Sequence, residues 1–364
     1  MSAERRRFVL PALLLLAVFL FSLCFRVTQP GFIPGETFAN LYTGVRLFFA
    51  DLFQLPLALD RWDLIDAHPY YYETFVRLKS SLTTALSGMG ICLAGAVFQT
   101  VFRNPLASPN ILGVSAGVNL GNLVFILTFQ TAALSSLNQR YLYCFACTFL
   151  ILGVVLLVGK LAGFRARTVS IVDMIVVGSV LSQLTGVVAT YLQYVLEGID
   201  YSLLLVYQQL SLGIYVSPDT PALILFFALI LVGMVPVLLV RWRFNAAAFS
   251  DEDAALMGVH PGRLRGVGLV CGSVLAATAL IFCGDVGMLS MAVPHICRYR
   301  SGADFRVLCY RSVCAGGALM LLCRILSSLI YIQGVALPIN FLISAAILPV
   351  FVVVLLRRKE AFAS

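Results

Sequence analysis

The chain has 364 residues, 60% of them hydrophobic and only 12% charged, with a mean hydropathy of +0.96. A soluble domain has about a quarter of its residues charged, so no water-shielded core accommodates this composition and lipid must cover much of the chain. The formal charge of +8 does not point to nucleic acid, because the basic residues cluster at the ends of hydrophobic windows rather than along a stripe.

In hydrocarbon only helices and closed barrels satisfy their own backbone groups. The apolar runs here are long rather than short and alternating, so the fold class is all-α and polytopic. A span needs roughly 20 apolar residues, and about ten membrane segments are predicted, at 8–25, 75–101, 109–129, 141–161, 170–196, 221–240, 266–283, 286–297, 307–330 and 338–356. The first follows Arg5, Arg6 and Arg7 and lacks a small-residue cleavage site, which predicts a retained start-transfer helix. The eighth is short, and is included because the charge pattern needs a return to the inner side there. With the N-terminus inside, eighteen of the 25 basic residues fall on the cytoplasmic side and seven outside. The positive-inside rule therefore predicts both termini in the cytoplasm. The whole of 1–364 reads as one membrane domain, with a long outer loop at 26–74 and a long cytoplasmic loop at 241–265.

In chain order, the outer loop carries a semi-apolar piece from Val45 to Leu59 that suits the membrane surface. After the second segment, Pro105 and Pro109 stop one helix and launch another, with Asn104 and Ser108 available as caps. Gly113, Gly117 and Gly121 then give two overlapping G-x-x-x-G spacings that allow close helix approach. A generic helical hairpin also accounts for this stretch. Cys144 and Cys147 fall inside a predicted membrane helix, where small packing residues are the simpler reading and metal or redox chemistry the other. In the loop 241–265, Ser250 followed by Glu252 and Asp253 signals a helix start, Gly258 a stop, and Pro261 a new beginning. The expectation is a short helix, a turn and a second short helix, more structure than a connection requires and suited to docking a cytoplasmic partner. Pro294 and His295 suggest a helix break tied down by the histidine, with a proton relay or haem ligand as the alternative. Pro338 opens the last helix.

The run Arg103, Asn104, Pro105, through Pro109 to Gly113 closely resembles the signature of permease subunits of iron-siderophore, haem and cobalamin ABC importers. Ala255, Leu256, Gly258 and Val259, then Pro294, His295 and Arg298, then Leu337 and Pro338, follow in the family's order. The resemblance implies a ten-helix permease in the bacterial inner membrane that forms a homodimer around the substrate path. It implies two separate ATP-binding cassette ATPase subunits, which use ATP and Mg, and an extracytoplasmic substrate-binding protein. Residues Ala255, Leu256, Gly258 and Val259 would dock into the ATPase. Arg77, Lys79 and Arg324 would face the binding protein, and Ser170, Ile171 and Val172 would form the inner gate. The sequence departs from the family pattern at Ser80, Ser290, Ala336, Asn340 and Ala346.

No phosphate loop of the form G-x-x-x-x-G-K-[ST] occurs, so the chain is expected to have no catalytic site, cofactor or metal of its own, with ATP hydrolysed elsewhere. The rival is a gradient-driven transporter or channel, which predicts paired intramembrane charges. Asp173 falls near the cytoplasmic end of the fifth segment and Asp285 in an outer turn instead. Gln183, Gln193, Ser179 and Thr185 are candidates for pore polarity, or for bonds across helices.

Overall fold

The computed structural model describes residues 3–25, 34–53, 69–130, 137–162, 171–213, 220–302, 304–332 and 335–349. These fold as α1 (Ala3–Ser22), α2 (Pro34–Leu52), α3 (Pro69–Val101), a 3-10 turn (Pro109–Leu112), α4 (Val114–Phe129), α5 (Leu137–Ala162), α6 (Ile171–Ile199) and α7 (Tyr201–Leu212). They continue as α8 (Thr220–Leu239), α9 (Arg243–Ala246), α10 (Asp251–Leu256), α11 (Pro261–Cys283), α12 (Gly287–Ser301) and α13 (Phe305–Leu329). A two-residue hairpin, β1 (Tyr331–Ile332) with β2 (Val335–Ala336), leads into α14 (Ile339–Pro349). The all-α expectation holds. Among the described residues six helices are long and apolar enough to cross a membrane, and α1, α4 and α14 contribute shorter apolar stretches.

The core is organised around α3, which packs against α2, α11, α12 and α13. In both α3 and α11, 83% of the apolar window is buried, against 17% in α6. The first two helices are therefore enclosed by protein, whereas α6 turns its apolar surface outward. Close approach at the hub requires missing side chains: a Cβ on Gly95 would collide with the backbone of Ser290 on α12. On the other side of the bundle, a Cβ on Gly117 or Gly121 would run into the backbone of α5 at Thr148 and Cys144. The small-residue spacing thus does what such spacing does in lipid, letting two backbones touch.

Several boundaries differ from the sequence expectation. The segment 109–129 is not one helix, because Gly113 adopts φ +81 and joins the 3-10 turn to α4. A side chain there would meet both that left-handed backbone and Ile151. The outer loop 26–74 contains a full helix, α2, which buries Phe48 in a cluster with Phe75 and Leu223. The piece Val45–Leu59 was expected to lie on the membrane surface; instead its first part packs on α3, and 54–68 lies outside the described residues. The helix α7 was unforeseen. Asp200 caps its start by accepting from the Ser202 amide at 2.8 Å, and Leu203, Tyr207 and Leu210 form its buried face. Finally, α12 runs through Pro294 to Ser301 without the expected break at His295.

Candidate functional site

The loop 241–265 is built as a rigid bracket. Ser250 caps α10, its hydroxyl accepting from the Asp253 amide at 3.1 Å, and three acidic residues occupy the first turn, where they complement the helix dipole. Gly258 ends the turn at φ +75, a conformation glycine adopts without steric cost. Pro261 opens α11 directly, so the second short helix expected after the turn is the start of a 23-residue membrane helix. A different short helix, α9, precedes α10.

Two sets of polar contacts hold the bracket to the membrane helices. At one end Arg103, in the turn after α3, donates from Nε to the Ala247 carbonyl at 2.9 Å and from Nη2 to Asp251 at 2.7 Å. Asp251 also pairs with Arg265 of α11. Burial raises the Asp251 carboxyl, but the hydrogen bonds and charge of Arg103 and Arg265 outweigh it and hold the group below the usual carboxylate range. At the other end, the side-chain oxygen of Asn245 accepts from the Phe305 amide at 2.6 Å, and its nitrogen donates to Asp304 at 3.1 Å. Asp304 also accepts from the Arg306 amide at 3.0 Å, capping α13. The rings of Phe244 and Phe305 pack 4.8 Å apart beneath.

The tip of the bracket, at the end of α10, is apolar. Leu256 is 88% exposed, Met257 53%, and nothing fills the space around the Gly258 Cα. Ala255 is exposed beside them, whereas Val259 is buried with Ala254 and anchors the turn from below, its amide donating to the Ala254 carbonyl at 3.0 Å. Of Ala255, Leu256, Gly258 and Val259, the first three are exposed and the fourth is buried beneath them, with Met257 exposed beside Leu256.

The signature residues brace the same face. Asn104 accepts from the Leu106 amide at 2.9 Å, forming the expected side-chain cap, while Ser108 makes no such bond. Pro109 starts the 3-10 turn and Pro105 lines a pocket beside it. Arg298 donates to Thr100 at 3.1 Å and Gln99 to the Met291 carbonyl at 2.8 Å, tying α12 to the end of α3. Pro294 and His295 are buried in that contact region.

The outer cations are placed differently from expectation. Arg77, Lys79 and Arg324 were expected at a docking surface, but all three are buried. Arg77 donates to Thr37 at 2.9 Å, and Lys79 lies over the Phe75 ring at 4.4 Å. Arg324 donates to Ser81 at 2.7 Å, to the Ser22 carbonyl at 3.0 Å and to Ser80 at 3.4 Å, so Ser80, a departure from the family pattern, takes part in accommodating a guanidinium. The reason is geometric: α3 starts at Pro69, so positions 77–80 lie two turns inside it and are covered by α1, α2 and α13. Of the gate residues, Ser170 lies outside the described residues, and Ile171 and Val172 open α6. Ser179, Thr185 and Gln193 bond carbonyls of their own helix rather than crossing to a neighbour. Cys144 packs in the α4–α5 contact, its thiol 3.2 Å from Asn122, and among the described residues no group of metal-ligating side chains occurs.

Comparison with known proteins agrees with this arrangement. A probable iron chelatin transport system permease protein of Helicobacter pylori is 30% identical over 284 residues, covering 78% of this chain and 82% of its own. The hemin transport system permease protein of Yersinia pestis is 26% identical over 287 residues, covering 78% and 83%. A solved metal-chelate type ABC transporter in an inward-facing conformation shares the fold with a TM-score of 0.67 and 24% identity, covering 88% of this chain and 98% of that one. Residues 37–357 match the model of the FecCD transport family, and the chain is a multi-pass membrane protein belonging to that family.

Proposed function

We propose that this chain is the membrane-spanning permease subunit of an ATP-driven importer for a metal chelate of the iron-siderophore, haem or cobalamin class. The observation that carries this reading is the braced loop whose tip holds Leu256 88% exposed. Leu256 and Met257 together form an exposed apolar tip on a capped helix end, a surface that suits a partner, and two separate polar braces tie it to the membrane helices. The partner is a separate ATP-binding cassette subunit, two copies per transporter, which uses ATP and Mg; the permease itself supplies no catalytic group. The outward-facing apolar surface of α6 suits a second copy of the chain, with the substrate path between the two and the start of α6 near Ile171 and Val172 as the inner gate. Ten spans with both termini in the cytoplasm place the loop on the same side as the ATPase. An extracytoplasmic binding protein delivers the chelate; a docking role for Arg77, Lys79 and Arg324 requires a state in which they reach the surface. Transport proceeds by alternating access: nucleotide-driven closure of the ATPases moves the loops, and the loops reset the gates.

The test is co-purification of the tagged chain in detergent with its co-expressed ATPase. Wild type recovers the ATPase; Leu256→Asp, alone or with Gly258→Trp, loses it while still inserting into the membrane. Recovery of no nucleotide-binding partner by wild type refutes the importer reading and favours a gradient-driven transporter.

A further inference from the structure

We propose that the pocket between the end of α3 and the end of α12, on the membrane face that carries the 241–265 loop, binds a phosphate-ester oxyanion, with an anionic lipid headgroup as its source.

The pocket has a volume of about 440 Å³ and is lined by Gln99, Thr100, Arg103, His295, Arg298 and Tyr299, with Pro105 and Ala248 at its edge. That volume lies within the range of small-molecule sites, about 300–1,000 Å³. Its lining contains two guanidinium groups, an imidazole, an amide and two hydroxyl groups, and no carboxylate. The two arginines differ in what neutralises them. Arg103 is paired with Asp251, a carboxylate it shares with Arg265. Among the described residues Arg298 has no carboxylate within ion-pair distance; its one bond is from Nη2 to Thr100, and its buried Nε has no hydrogen-bond partner. A half-buried guanidinium with an unused donor beside a pocket is costly unless an anion completes it. Guanidinium forks match phosphate oxygens in geometry as well as charge.

The position favours a lipid. The pocket sits where two helices of the bundle end, and Tyr299, 68% exposed, lines it with the kind of aromatic surface found at the membrane–water boundary. Basic pockets between membrane helices at this level recognise phosphate headgroups. Occupancy would couple Arg298 on α12 to Arg103, which bonds Ala247 and Asp251 of the loop.

The experiment uses the full chain in nanodiscs of phosphatidylcholine with a minor fraction of phosphatidylglycerol, released for native mass spectrometry, and needs no ATPase subunit. Wild type is expected to retain phosphatidylglycerol about five-fold above its share of the bilayer, the enrichment one arginine–phosphate contact supports. Arg298→Gln should fall to the bulk share and Arg298→Lys should keep part of the enrichment. If wild type shows no lipid enrichment but inorganic phosphate raises its melting temperature and not that of Arg298→Gln, the site stands and its source is soluble phosphate. If phosphatidylglycerol is retained no better than phosphatidylcholine and phosphate gives no shift, the proposal is wrong. Should Arg298→Gln fail to fold, Arg298→Lys is read against wild type in the same two assays, and an enrichment and a phosphate shift equal to those of wild type would overturn the assignment to this pocket.

Discussion

Replacing Asp251 by Asn keeps the shape of the side chain and removes the charge that joins the turn after α3 to α10 and α11. The carboxylate serves two arginines, with Asp251 42% exposed, Arg103 33% and Arg265 22%. Ion pairs at such exposure contribute about 0.2–1 kcal/mol each after solvent screening. Losing both costs about 0.4–2 kcal/mol locally, because the second brace, Asn245 with Asp304 and Phe305, remains. That corresponds to about a 2- to 30-fold rise in local opening, measurable as hydrogen exchange of the amides in 251–258. The sign of the pH effect follows from the depressed carboxyl. A group whose folded pKa lies below its unfolded value of about 3.9 contributes fully above that value and loses its contribution as pH falls through the folded pKa. Protection corrected for intrinsic exchange should therefore stay level from about pH 7 to pH 5 and decline below about pH 4. Asp304 is depressed too: burial raises it, but bonds from Asn245 and Arg306 prevail, so Asp251→Asn isolates the Asp251 share of that decline. Unchanged protection in α10, or an equal rise throughout the helices, would show that the ion pairs do not hold the loop.

Ser250→Ala removes the cap accepted from the Asp253 amide and should cost about 1 kcal/mol of α10 stability, seen as about five-fold faster exchange in that helix with no change in melting temperature. An equally protected α10 would mean that acidic residues in the first turn suffice. Gly117→Leu places a Cβ 2.5 Å from the Thr148 Cα and must push α4 from α5, so the melting temperature should fall sharply, by about 1–3 kcal/mol of overpacking or more. Gly153→Ala, on the same α5 but facing open space, should leave it unchanged or raise it; equal losses in both would refute close backbone packing as the reason.

Fold class and the sites of helix punctuation were legible because each rests on local chemistry. The apolar windows demand helices in lipid, Ser250 and Gly258 mark the ends of α10, and Pro105 and Asn104 mark the signature turn. The helices α2 and α7 were obscured for one shared reason. Both lie in stretches too polar or too short to read as spans, and each is held by tertiary burial, Phe48 against Phe75 and Leu210 in a cluster with Leu123. For α7 the Asp200 cap and Gly213, with φ +73, were available local signals.

The outer arginines show a different limit. Charge near a membrane boundary reads from sequence as surface, since an unpaired buried cation is expensive. Arg324 is nevertheless enclosed, and its surroundings explain how: Ser80 and Ser81 of α3 and the end of α1 at Ser22 offer three oxygens. Those oxygens come from segments 302 and 243 residues away in the chain, and no local pattern announces them. The loop at 241–265 is the opposite case. There the partners of Asp251 are also distant, but the helix they brace carries its own cap, stop and exposed leucine within nine residues, Ser250 to Gly258. An exposed tip has no surrounding bundle to shape it, so its structure is encoded locally. A buried charge needs only the completed bundle around it, and is encoded in the bundle.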